Sequence, residues 1–250
     1  NKLKLRQICF VAKELESTLK NFSFITGSGV CFRDEGVSFF GLENGLLELN
    51  GNFLEVVSPF KPNTTAERFM KKMGGDSGYM LIFECEDADI YRKKAVDLNI
   101  RDIWSSDLNN GVKASHYHPK DIGGLIISVD SMNNSNWENK DSYWEWGGDK
   151  WTLNKNNRCS IKSITMNCIN PGVLSNRWSS FLDLPLNNID EGQQIKGYDF
   201  EIFFIKDQNK GIDYLSQLNL RIDDPSLKLE IISKYGKNEI VICGTKIEIE

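Results

Sequence analysis

The period of the apolar positions changes repeatedly along this chain. LKLRQICFVA (3–12) is rich in strand formers. ELESTLKNFSFITG (14–27) then sets Leu15, Leu19, Phe22 and Ile25 at helical spacing and closes at Gly27. VCFRDE, VSFFGLE and NFLEVVSPF read as short strands with Gly and Asn between them. KPNTTAERFMKKMGGDSG predicts a short helix and a glycine-rich link. Its GGDSG (74–78) does not follow a strand and open a helix, as a phosphate-cradling loop requires, so it reads as a turn. The order restarts at YMLIFECE (79–86), with an amphipathic helix over 87–100 and strands RDIWSSDL, GVKASHYH and GGLIISVD.

Residues 131–158 break this order. They are rich in Asn, charge and tryptophan (137, 144, 146 and 151), and the indoles need apolar surface to cover. The reading is an ordered linker that packs between the two halves. After it the pattern returns. CSIKSITMNCI (159–169) lies on the opening strand and GVLSNRWSSFLDLP on the first helix. YDFEIFFI (198–205) matches a fourth strand and DYLSQLNLRIDD (213–224) the 79–90 stretch; PSLKLEIISKYG starts a helix at Pro225, and EIVICGTKIEIE ends as strands. This gives four βαβββ-like units paired as 1–130 and 159–250, the last one truncated. The expected class is α+β in tandem βαβββ modules; curved mixed sheets around a cavity are what a family resemblance carried by residues 5–16, 52–59 and 118–128 implies for them.

Composition narrows the function classes. A formal net charge of −5, with both signs mixed along the 250 residues, gives no nucleic-acid footprint. No apolar run approaches the roughly 18 residues of a membrane span. Six cysteines (Cys9, Cys31, Cys85, Cys159, Cys168, Cys243) sit mostly in apolar, strand-like segments and none forms CxxC. They read as buried thiols in a reducing, cytoplasmic compartment.

Two stretches carry candidate chemistry. HYHPKDIGGLIIS (116–128) holds both histidines. An HxH pair on a strand shares one face, as a metal site needs. The competing readings are that His118 opens a tight turn and bonds nearby backbone, and that His116 lines a pocket as an acid or base. The second stretch is NFLEVVSP (52–59), where Glu55 shares a face with Phe53 and Val57. An inward carboxylate there needs a partner such as Gln7, a cation, or a raised pKa. Phe39, Phe40, Phe53, Trp104 and Tyr117 read as core and cavity wall, suited to an apolar or aromatic small molecule.

A βαβββ unit duplicated in one chain resembles the vicinal oxygen chelate superfamily, which includes glyoxalase I, methylmalonyl-CoA epimerase, extradiol dioxygenases and bleomycin-resistance proteins. HPKDIGGLIIS (118–128) is similar to the HPK-xx-GG-xxx-E segment of the epimerases, NFLEVVSP to the acid-bearing fourth strand, and LRQICFVAKELE (5–16) to the opening LDHxxxxVxDLE. The resemblance implies metal ligands on the first and last strand of each unit. Those positions here are Gln7 and Glu55, which are compatible with a weak hard cation, and Met80 or Leu81, and Ser128, where the ligands are lost. In the second half they are Ser163, Glu201, Gln217 or Asn219, and Glu248, with no histidine, which argues against dioxygenase chemistry.

The expectation is therefore a degenerate metal site with no cofactor, or a weak divalent ion at most. Glu55 and His116 are the candidates for proton chemistry, and Gln7, Met80, His118 and Ser128 for contacts to a small oxygenated or aromatic metabolite. Two functions stay open: a glyoxalase- or epimerase-like lyase or isomerase, and a non-catalytic binder of bleomycin-resistance type, each as monomer or homodimer.

Overall fold

The computed structural model describes residues 3–134 and 136–250. A first βαβββ module holds β1 (Lys4–Val11), α1 (Leu15–Thr26), β2 (Val30–Phe32), β3 (Leu42–Leu49) and β4 (Asn52–Pro59). α2 (Thr65–Met73) leads to a second, with β5 (Ser77–Glu84), α3 (Ala88–Asp97), β6 (Asp102–Asp107), β7 (Lys113–Tyr117), the one-turn α4 (Pro119–Ile122) and β8 (Ile126–Asp130). The third is β9 (Cys159–Cys168), α5 (Pro171–Leu182), β10 (Leu186–Ile189), β11 (Gly192–Lys196) and β12 (Glu201–Lys206). The fourth is one strand short: β13 (Tyr214–Ile222), α6 (Pro225–Tyr235), β14 (Glu239–Ile242) and β15 (Thr245–Ile249).

In every module the first strand runs parallel to the last. A parallel pair needs a crossover, and each module's helix begins it. The strands form two mixed sheets, one of eight in the order β2-β3-β4-β1-β5-β8-β7-β6 and one of seven in the order β10-β11-β12-β9-β13-β15-β14. By contacts the chain divides into two compact units. One takes Gln7–Tyr79, Trp144–Lys162 and Gln217–Glu250; the other takes Asn1–Arg6, Met80–Tyr143 and Ser163–Ser216. They are called here the Glu55 unit and the His116 unit.

In the Glu55 unit, α1 lays Leu15, Leu19, Phe22 and Ile25 inward, the four positions its spacing picks out. Phe22 meets Phe10 of β1 with ring centroids 5.0 Å apart. Helix and sheet approach closely at Gly45, where a Cβ would lie 2.6 Å from Leu19 Cδ1. α2 is capped by Thr64, whose Oγ1 accepts from Glu67 N at 3.0 Å, while the Glu67 carboxylate reaches back to Asn63 N. α6 starts at Pro225 behind the Asp224 cap. The expected strand VSFFGLE is instead a 3-10 helix at Glu35–Phe40, followed by β3. Asp34 caps it through Gly36 N, and Gly41 turns the chain at φ 73°. Phe39 and Phe40 consequently leave the expected core set, Phe39 being 76% exposed.

In the His116 unit, Tyr91 and Tyr117 pack edge-on against Phe181 of α5 at 6.1 and 4.8 Å. Trp178 Nε1 donates to Ile122 O at 3.0 Å. The glycines after HPK are required twice over. Gly123 and Gly124 hold φ of 98° and 84°, and a Cβ would fall 2.3 Å from Leu174 Cδ1 and 2.6 Å from Met166 Cε. All six cysteines are free and all but Cys31 are buried. Among the described residues no helix is long and apolar enough to cross a membrane.

Candidate functional site

The register of β1 on β4 sets Gln7 opposite Phe53 and Cys9 opposite Glu55. Alternation then puts Gln7, Cys9, Phe53, Glu55 and Val57 on one face, away from the Phe10–Phe22 contact. β3 adds Asn44, which lies opposite Val57. Glu55 is inward and buried. Its Oε1 accepts from Gln7 Nε2 at 3.1 Å and its Oε2 from Asn44 Nδ2 at 2.7 Å. Gln7 Oε1 accepts in turn from Trp144 Nε1, at 2.8 Å. Loss of hydration raises the Glu55 pKa, opposed by the donors Asn44, Cys9 and Gln7. Burial also drives the Cys9 thiol well above its usual range. This is a chain of neutral donors closing on one carboxyl.

The remaining candidates lie in the His116 unit. His116 stacks on Trp104 at 4.5 Å and sits opposite Ser128 in the β7–β8 ladder. Burial lowers its pKa to about 4. Ser128 Oγ donates to Asp130 Oδ1 at 2.6 Å. Met80 is buried opposite Ile126. His118 caps α4: its Nδ1 accepts from Lys120 N at 3.0 Å, the turn-opening role weighed for it. The same unit buries a charge cluster that strand alternation did not reveal. Lys4 Nζ and Arg6 Nη1 both reach Glu84 Oε1, at 2.9 and 2.8 Å, and Arg6 Nη2 donates to Ser142 O at 2.7 Å.

The C-terminal candidates repeat the Glu55 arrangement. Gln217 lies opposite Lys246 and Asn219 opposite Glu248, the same two-residue offset as Gln7, Cys9 and Glu55. Gln217 Nε2 donates to Glu248 Oε2 at 2.9 Å. Ser163 is set opposite Glu201. Asn44 and Trp144 are the members of the Glu55 site that the sequence did not flag. Asn44 was hidden because β3 was not expected; Trp144 carried a signal, an indole in a polar stretch that had to find cover.

No family model matches the chain, and no curated protein does. A structure of a hypothetical protein from Staphylococcus aureus superposes over all of this chain and 99% of its own, at 13% identity and a TM-score of 0.70. In this chain the modules with parallel first and last strands recur along the whole length. At that identity the likeness is one of fold alone: α+β modules in mixed sheets, as the resemblance read from the sequence implied. Methylmalonyl-CoA epimerase of Streptomyces coelicolor, in complex with 2-nitronate-propionyl-CoA, matches 54% of the chain and all of its own, at 16% identity and a TM-score of 0.47. The epimerase from Mycobacterium tuberculosis matches 52% of the chain and 89% of its own, at 16% and 0.46. Scores that low carry no functional weight.

The resemblance to the vicinal oxygen chelate superfamily implies a metal, which Gln7 and Glu55 would hold; in this fold those two groups are bound to each other and to neutral donors. Both Glu55 oxygens and Gln7 Oε1 already accept hydrogen bonds, and the Ser128 hydroxyl is spent on Asp130. Among the described residues no group of three or more His, Cys, Asp or Glu is placed to hold an ion.

Proposed function

We propose that this vicinal oxygen chelate-type protein binds a small oxygenated or aromatic metabolite on the face bearing Gln7, Asn44 and Glu55, and that Glu55 moves a proton there without help from a metal. The observation that supports this is the state of Glu55. It is buried, its carboxyl is oriented by two carboxamide donors, and no cation figures among the groups that shift it. A carboxyl with a raised pKa exchanges protons nearer neutrality than an exposed one, which suits a general base for a C–H beside a carbonyl. Gln7 and Asn44 hold both oxygens in place through the transfer. His116 stays neutral at pH 7 against Trp104, and Met80, Ser128 and His118 of its unit keep structural roles in this reading. We place the protein in the cytoplasm, as monomer or homodimer; its six free thiols support a reducing compartment.

A second reading is a non-catalytic binder of bleomycin-resistance type. The bonds of Glu55 and Gln7 to each other, to Asn44 and to Trp144 favour it, because they hold this face together without a reacting partner. The two separate by solvent exchange. Panels of 2-oxo acids, 2-hydroxy acids and acyl thioesters are incubated in D2O with wild type and Glu55→Gln and followed by NMR. The proposal expects one class to exchange its α-proton at least 100-fold more slowly with Glu55→Gln, at similar binding. Equal exchange rates would sink the base role. Glu55-dependent binding with no exchange would select the binder.

A further inference from the structure

The face that carries Glu55 is covered by the chain itself. Trp144 is fully buried, with its ring N–H on Gln7 Oε1 at 2.8 Å. A 3-10 turn follows at Glu145–Gly147. Gly147 lies so close that a Cβ would sit 2.7 Å from Phe53 Cζ and 3.3 Å from Trp144 Cδ1. Trp151 meets Phe53 edge-on, at 5.4 Å and 79°. Further on, Asn156 is stapled down. Its N–H donates to the Glu48 carboxylate, its Nδ2 donates to Thr26 O at 2.8 Å, and its carbonyl accepts from Asn50 N at 2.9 Å. The segment is thus pinned by polar bonds at 156 and, before Trp144, at Ser142, whose carbonyl accepts from Arg6 Nη2 at 2.7 Å; between them an aromatic ring is laid on a polar pair.

That ring sits as a bound ligand would: a planar body with one N–H donor on a carboxamide oxygen. It is also an unusual way to fill a core. An indole over a buried Gln–Glu pair needs three polar groups to match, where apolar side chains of similar volume would need none. Gly147 and Gly148, the latter at φ 81°, supply the pivot. Resting on the reading of this face as the ligand site, we propose that Trp144 is an internal occupant of it. The strap between Ser142 and Asn156 opens by bending at Gly147–Gly148, with both of those ends held. The ligand that replaces the indole is a planar aromatic or heteroaromatic molecule that donates one N–H or O–H to Gln7 Oε1. Strap opening and ligand binding are then linked, and the closed strap weakens apparent affinity by its closing equilibrium.

The test uses the full chain with 15N-labelled tryptophan and the Trp144 indole signal identified through Trp144→Phe. Indole and benzofuran, the latter alike in shape without the N–H, are the probes. Indole is expected to move the wild-type Trp144 signal to its solvent-exposed position. Trp144→Gly is expected to bind indole at least tenfold more tightly than wild type, and benzofuran roughly tenfold more weakly than indole. A Trp144 signal unmoved by indole, or equal affinity for the two probes, would overturn the proposal. Should Trp144→Gly fail to fold, hydrogen exchange of the wild-type Trp144 N–H decides: exchange faster than that of the β1 amides supports the strap, and exchange only on global unfolding overturns it. Glu55→Gln separates the two readings. Indole displacing Trp144 equally in that variant supports the strap while the proton role fails. A ligand whose binding depends on Glu55 but leaves Trp144 seated overturns the strap and keeps the site.

Discussion

Glu55 and His116 are both titratable groups shifted by loss of hydration, yet they act on stability in opposite pH ranges. Folding raises the Glu55 pKa above 4.5, so the folded chain holds that proton longer than the unfolded one. Its contribution is complete below the unfolded pKa and declines as pH rises through the folded value. Glu55→Gln should remove that decline. Denaturation of both proteins between pH 4 and 9 should show the variant gaining on wild type as pH rises, whatever constant offset the amide introduces. His116 works the other way. Folding lowers its pKa from 6.5 to about 4, so the unfolded chain binds a proton first as pH falls. Stability should drop from about pH 6.5 downward, by up to roughly 1.4 kcal/mol per pH unit. His116→Phe keeps a ring beside Trp104 and should flatten that limb. A limb unchanged in the variant would mean that another group titrates there.

The helices were the most legible elements, because an amphipathic stripe and its caps are local. Leu15, Leu19, Phe22 and Ile25 of α1 and the Pro225 start of α6 stand where the spacing put them. β3 was not legible. LENGLLEL lacks strict alternation, and its strand identity comes from pairing between β2 and β4. With β3 unseen, Asn44 could not be placed beside Glu55, and Trp144 reaches Gln7 across 137 positions of sequence. Glu55 and Gln7 were legible because both sit on strands whose alternation is clear. Gly45 on β3 gives a test of element packing. Gly45→Ala should cost about 1–3 kcal/mol, because the new methyl meets the Leu19 side chain. Gly45→Ala combined with Leu19→Val should recover part of that loss in a thermal melt.

At the scale of the whole molecule, each compact unit is assembled from three separate stretches of chain. In the Glu55 unit, α1 packs against α6 and β14, which lie at the far end of the sequence. A fragment of residues 1–158 should therefore bind a hydrophobic dye and unfold without a sharp transition, although it holds every strand of the eight-stranded sheet. Sharp, dye-free unfolding of the fragment would show that 1–130 is self-sufficient. The same discontinuity bears on how the protein is made. A chain leaving the ribosome presents Gln7, Asn44 and Glu55 early, while the stretches that complete the His116 and Glu55 units end at Ser216 and Glu250. The carboxylate that is dry in the finished protein thus waits for its cover: the indole that closes on Gln7 is translated long after Gln7, Asn44 and Glu55 themselves.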